Sequence, residues 1–200
     1  MKRDNKKTVY LRFSVITLLI VLAALSRLIP HPPNVAPIAG MALFGSAYYH
    51  RKYWAYLIPV ITMWISDLIL NNVVYAQYFD RFVWFYSGSL FTYAAFALIV
   101  LMGSITLKKK NVGSVLFSAL GASVIFFIVS NFGVWLTSPM YVKSWEGFIT
   151  CYIAAIPFMQ NTLIGDLCYT AALFGLFEMS MSWLPSLRTK QKEYQRTTKE

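Results

Sequence analysis

Charge, cysteine and histidine are all scarce in this chain, and each scarcity removes a class of function. Of 200 residues 13% are charged, with 8 Asp and Glu, 2 His and 2 Cys. Cys151 and Cys168 are too few and too far apart for a disulfide framework or a zinc motif, and read as small buried hydrophobes. Two histidines do not build a catalytic metal centre. A bis-histidine haem site fails too, because an apolar run separates His31 from His50 and places them at opposite ends of a helix. There is no Walker A loop, no HExxH and no GxSxG. Ser66 beside Asp67, and Cys168 near Asp166, have no histidine base on the same helix. No catalytic, metal or cofactor residue is assigned.

Apolar residues are what the chain has in excess. They make up 58% of it, and the mean hydropathy is +0.54. A soluble domain of this size would expose large apolar patches, so the expectation is an all-α polytopic membrane protein. The net charge of +10 does not point to nucleic acid, because the basic residues sit in short clusters between apolar runs. That is how a membrane protein meets anionic lipid on one side.

Spanning a hydrocarbon core of about 30 Å takes roughly 20 helical residues. Six candidate spans follow: residues 10–29, 35–50, 53–71, 85–107, 112–136 and 159–184. They form one transmembrane domain over 10–184, between a basic N-terminus (1–9) and a basic tail (185–200). Basic residues precede the first run, but no small-residue cleavage site follows it, so it reads as a retained helix. Residues 145–158, "WEGFITCYIAAIPF", read as an interfacial piece that turns at Pro157 into the last span.

Alternate sides of this arrangement divide the 18 Lys and Arg unevenly. The N-terminus, Arg51-Lys52, Lys108-Lys109-Lys110 and the tail carry 15, whereas the opposite side carries Arg27, Arg81 and Lys143. The positive-inside rule then puts both termini in the cytoplasm of a bacterial inner membrane. Loops on the other side are longer and aromatic, and Tyr75, Tyr78, Trp84, Trp135, Tyr141 and Trp145 read as an interfacial belt.

Polar side chains at membrane depth are costly and face a protein interior or a cavity. Arg27, Asp67, Asn131, Asn161 and Asp166 all fall within about two helical turns of the outer surface. Asp67 and Asn71, four apart, share a helix face by spacing. The linker "SRLIPHPPNVAP" carries four prolines within residues 30–37 and adds His31 and Asn34 over the same mouth. Two readings stay open for this layer: charge pairing that only holds helices together, or a binding site. Glu178, near the inner end of the last span, is read as snorkelling or pairing with a tail lysine. Small residues at four-residue spacing in the second span, Ala36/Gly40 and Ala42/Ser46, allow close helix approach within the bundle or against a partner.

Three segments carry a family resemblance: "PHPPNVAPIAGMALFGSAYY" (30–49), "SDLIL" (66–70) and "IPFMQNTLIGDLCYTAALFG" (156–175). Together they resemble the DUF6580-like group of small six-helix bacterial membrane proteins, over essentially the whole chain. Size, topology and the placement of polar residues are also similar to the substrate-binding S components of energy-coupling-factor (ECF) vitamin transporters. The alanine-x-x-x-alanine docking pattern expected of those proteins on helix 1 is absent here, where "LAALSR" (22–27) has adjacent alanines only.

The expected function is transport. A small polar metabolite or vitamin would bind in an outward cavity lined by Arg27, His31, Asn34, Asp67, Asn71, Asn131, Asn161 and Asp166, for uptake. Arg27 would meet an anionic group and the prolines would stiffen a lid. The partners implied are this ligand, the lipid bilayer and a transmembrane energy-coupling subunit. A scaffold that docks a partner through the small residues of the second span is the alternative, and a membrane-embedded enzyme ranks behind it.

Overall fold

The computed structural model describes residues 2–187, and every regular element among them is helical. Six long elements follow in order: α1 (Lys2–Ser26), α2 (Ile38–Tyr48), α3 (Lys52–Ile69), α4 (Ser89–Thr106), α5 (Val112–Thr137) and α6 (Trp145–Trp183). A π-helical turn, Leu70–Val74, prolongs α3. The basic tail from Arg188 onward lies outside the described residues. Five of the helices are long and apolar enough to cross a membrane: Thr8–Ser26, Lys52–Val74, Ser89–Thr106, Val112–Thr137 and Trp145–Trp183. Their outward faces are apolar, as with Leu57, Ile61 and Ile65 on one stripe of α3. A water-facing helix would carry polar groups there.

The second helix departs from a simple span. With 11 residues, α2 is about 16 Å long, half of a hydrocarbon core. It packs against all five other helices, and ten of its residues are buried. The expected span 35–50 is therefore a short central helix preceded by irregular chain. Irregular backbone at that depth is tolerated where protein surrounds it. Its small residues provide the close approach. A side chain at Gly40 would meet the Tyr169 Cβ at 3.0 Å and the Thr170 backbone nitrogen at 3.2 Å. Ser46 lies against Gly103 of α4. The four-residue pattern read in the sequence thus serves packing inside the bundle, and Gly40, Ala42 and Ser46 are not available to a partner.

The last helix departs in the opposite sense. Residues 145–158 are not a separate interfacial piece, because α6 runs unbroken for 39 residues through Pro157. Ser144 caps its start by accepting from the Gly147 amide at 3.3 Å, and its length is about 58 Å. A proline removes one backbone hydrogen bond, and neighbouring helices can compensate in a bundle. The start of α5 is set by a capping box in which Asn111 and Ser114 each accept from the other's amide. The first helix is a full member of the bundle: Ile16, Ile20, Ala23 and Ala24 form its buried stripe.

Candidate functional site

Arg27 ends just beyond α1, and its guanidinium turns back into the bundle. It pairs with Asp67 Oδ1 at 2.6 Å and donates to Ser66 Oγ at 2.6 Å and to the Met63 carbonyl at 3.3 Å. The second oxygen of Asp67 accepts from the Tyr93 hydroxyl at 3.0 Å. Asp67 is 5% exposed. Both charges are therefore matched and hydrogen-bonded within the protein, the condition under which a buried ion pair persists. The helix-pairing reading of these two residues is what the geometry shows, and no anionic group of a ligand is needed to balance Arg27.

Beside this pair lies a cavity of ≈ 350 Å³. Its wall comes from the 27–37 loop (Asn34), from Tyr86 just before α4 and Thr92 in its first turn, from Ser130 and Asn131 of α5, and from Cys151 and Thr162 of α6, with Tyr141 from the α5–α6 loop. Phe126, Phe127 and Phe158 add aromatic surface. Among the described residues, no Asp, Glu, Lys, Arg or His lines it. The volume fits the lower end of the range of about 300–1,000 Å³ for small-molecule sites. Three lining groups hold no side-chain hydrogen bond within the described residues: the Asn34 amide, the Asn131 amide oxygen and the Tyr141 hydroxyl. Asn131 uses only its Nδ2, which donates to the Phe127 carbonyl at 2.8 Å. Burial holds the Tyr86 phenol above its usual range, so Tyr86 stays a neutral donor, here to Thr92 Oγ1 at 2.9 Å.

The loop over this cavity is fixed by its own chemistry. Asn34 has φ 65°, a left-handed conformation that asparagine tolerates better than most residues. It allows a turn in which the Val35 amide bonds to the Pro32 carbonyl at 3.1 Å. Asn161 of α6 donates to the Pro33 carbonyl at 3.0 Å. One turn further on, Gly165 lets the loop backbone touch α6, since a Cβ there would stand 3.0 Å from the Val35 Cα. Two of the three segments that carry the family resemblance thus press directly on each other.

The eight residues expected at the site separate into distinct roles. Asn34 and Asn131 face the cavity, and Asn161 anchors the loop. Arg27 and Asp67 form the pair behind the wall. Asp166, 4% exposed, accepts from Ser123 at 2.6 Å and lies one turn beyond Thr162, outside the cavity lining. No cation pairs with it among the described residues. His31 is exposed. Asn71 lines a different, smaller cavity of ≈ 210 Å³ with Asp80 and Arg81. Asn71 lies in the π-helical turn that begins at Leu70. Next to it, Asn72 clamps the following loop, donating to the Val83 carbonyl at 2.9 Å and accepting from the Val83 amide at 2.7 Å.

Sequence reasoning missed Tyr86, Thr92, Ser130, Cys151 and Thr162, and passed Tyr141 as a membrane anchor. Neutral hydroxyls inside apolar helices give a weak signal, because most bond the carbonyl a turn back. Thr162 and Ser130 do so, to Phe158 and Phe126. The remaining charge near this end is engaged elsewhere. Lys143 donates to the Trp135, Ser138 and Tyr141 carbonyls and so caps the end of α5.

Among family models, the one described as "Family of unknown function (DUF6580)" matches residues 7–187. No curated protein matches the chain, and no solved structure does. The likeness to S components of ECF transporters therefore has no support from solved folds.

Proposed function

The chain belongs to the DUF6580 family, whose description names no activity, and from the site we propose that it is a membrane transport protein that captures a small uncharged polar metabolite from outside. The observation that carries this reading is the ≈ 350 Å³ cavity at the end of the bundle with few basic residues, lined by unengaged hydrogen-bonding groups and by no charge. The arrangement favours a ligand with an apolar or aromatic body and hydrogen-bonding edges. Phe126, Phe127 and Phe158 would contact the body, and Asn34, Asn131 and Tyr141 would contact the edges. A site built to hydrogen-bond its ligand rejects analogues that lack the matching groups, because buried polar groups are then left unpaired.

Orientation follows from charge. With 15 basic residues on one side and 3 on the other, the 27–37 loop faces outward and both termini lie in the cytoplasm. Uptake through such a pocket, in the manner of S components, calls for a transmembrane energy-coupling subunit as partner. The test is native mass spectrometry of gently extracted protein, wild type against Asn131→Leu. A bound mass of metabolite size on the wild type, reduced in the variant, supports the reading. An empty wild-type cavity together with unchanged uptake in a deletion strain refutes it.

A further inference from the structure

At the opposite, basic end, a second cavity of ≈ 420 Å³ runs along the seam of α5 and α6. Val112, Val115, Leu116 and Ala119 line it from α5 at helical spacing, and Leu167, Ala171, Phe174 and Gly175 line it from α6. Its mouth lies at Tyr48, Lys110 and Glu178. Lys110 sits over the Tyr48 ring at 5.7 Å, and the Tyr48 hydroxyl donates to Glu178 at 2.8 Å. Lys108 and Lys109 are exposed next to Lys110.

Two observations set this groove apart from an ordinary packing gap. Thr170, 2% exposed, lines it, and its hydroxyl is buried without a hydrogen-bond partner among the described residues. Thr150, Thr162 and Ser180 on the same helix each bond the carbonyl four residues back, so Thr170 is the exception. Leaving a buried hydroxyl unpaired costs about 1–3 kcal/mol. Separately, Gly175 is open: a Cβ added there meets nothing within 4 Å. Gly40 and Gly165 are required by close backbones, whereas no neighbour within the chain requires Gly175. A glycine inside a helix costs roughly 0.5–1 kcal/mol against alanine. Both features fit space kept for something that is not part of the chain.

We propose that this groove holds one acyl chain of an anionic phospholipid. The tail lies along the apolar stripes of α5 and α6, and the phosphate is drawn to Lys108, Lys109 and Lys110. The apolar walls exclude a free phosphate as the main occupant. Lys108, Lys109 and Lys110 outnumber Glu178 at this end and favour an anionic headgroup over a zwitterionic one, as basic pockets between membrane helices do.

The test uses the full chain in detergent, incubated with phosphatidylglycerol or phosphatidylcholine of matched chains and read by native mass spectrometry. The wild type retains one phosphatidylglycerol, about tenfold more tightly than phosphatidylcholine. Gly175→Leu, which fills the groove without a clash, loses that lipid while its thermal unfolding is unchanged or raised. Ala171→Leu, from the same exposed wall, gives the same loss if Gly175→Leu does not fold. Lys108→Gln/Lys109→Gln removes the headgroup preference and leaves tail binding in place. Equal retention of both lipids by the wild type, or full retention in the two groove-filling variants, overturns the proposal. So does a change of oligomeric mass in Gly175→Leu with lipid retention intact, which would mean that a partner helix occupies the groove.

Discussion

The cavities at the two ends of the bundle treat charge in opposite ways. At the end with the proline loop, the ion pair Arg27–Asp67 is buried behind the wall and the cavity itself is neutral. At the basic end, the walls are mostly apolar and Lys110 and Glu178 stand at the mouth, with Lys108 and Lys109 exposed next to it. A charge behind a wall holds helices in register, whereas a charge at a mouth selects what enters. Neutral donors and acceptors along the wall suit a compact ligand with several polar edges. An open apolar groove with a basic rim suits a long amphiphile.

The sharpest way to break this comparison is to remove a wall charge. Arg27→Met leaves Asp67 buried without its cation, and the expected loss is about 3–5 kcal/mol of stability, read as a lowered thermal midpoint in detergent. Arg27→Met/Asp67→Leu together should recover most of it, since a buried pair replaced by apolar groups is often near neutral. If Arg27→Met keeps full stability and loses ligand, the pair belongs to the binding surface. A smaller effect tests the cavity itself. Asn131→Leu should weaken ligand retention by about 1–3 kcal/mol at little cost to the fold, by titration of whichever small molecule co-purifies.

Asn161→Ala releases the loop from α6. The expected cost is about 1 kcal/mol or less, with faster hydrogen exchange at the amides of Asn34 and Val35. An unchanged exchange rate would show that Gly165 packing holds the loop alone. The smallest effect is expected at the second buried acid. Asp166→Asn keeps an acceptor for Ser123 and has no cation to leave unmatched, so the thermal midpoint should move little. Asp67→Asn should lower it more, because Arg27 then loses its counter-charge. Equal effects of the two would contradict the difference drawn between them.

Much of the fold was legible in the sequence because membrane helices declare themselves by apolar length. The bounds of α4 and α5 fall within a few residues of their apolar runs. Two elements were misread, for physical reasons. The second span looked like an ordinary short helix because hydropathy does not distinguish lipid from protein as its surroundings, and α2 is enclosed by protein. The last helix looked broken because Pro157 usually ends a helix in water, where nothing compensates for its missing donor. Depth counting grouped Asn131 and Asn161 near one end, and the proline loop added Asn34; in the structure Asn34 and Asn131 line one cavity and Asn161 bonds the loop beside it. It did not reveal that Arg27 and Asp67 face each other, since one sequence gives depth along each helix but not rotation between helices. Nor did it show that Asn71 lines a different cavity with Asp80 and Arg81.

The central claim is that the neutral cavity under the proline loop is a binding site for a small uncharged molecule. Ala155 lines that cavity from α6, and Ala155→Phe would fill it without touching the Arg27–Asp67 pair. The decisive measurement is native mass spectrometry of wild type and Ala155→Phe, extracted side by side from the same host. The account predicts a metabolite-sized mass on the wild type and none on the variant, with both folded to the same thermal midpoint. An identical mass on both proteins, or none on either, would contradict it.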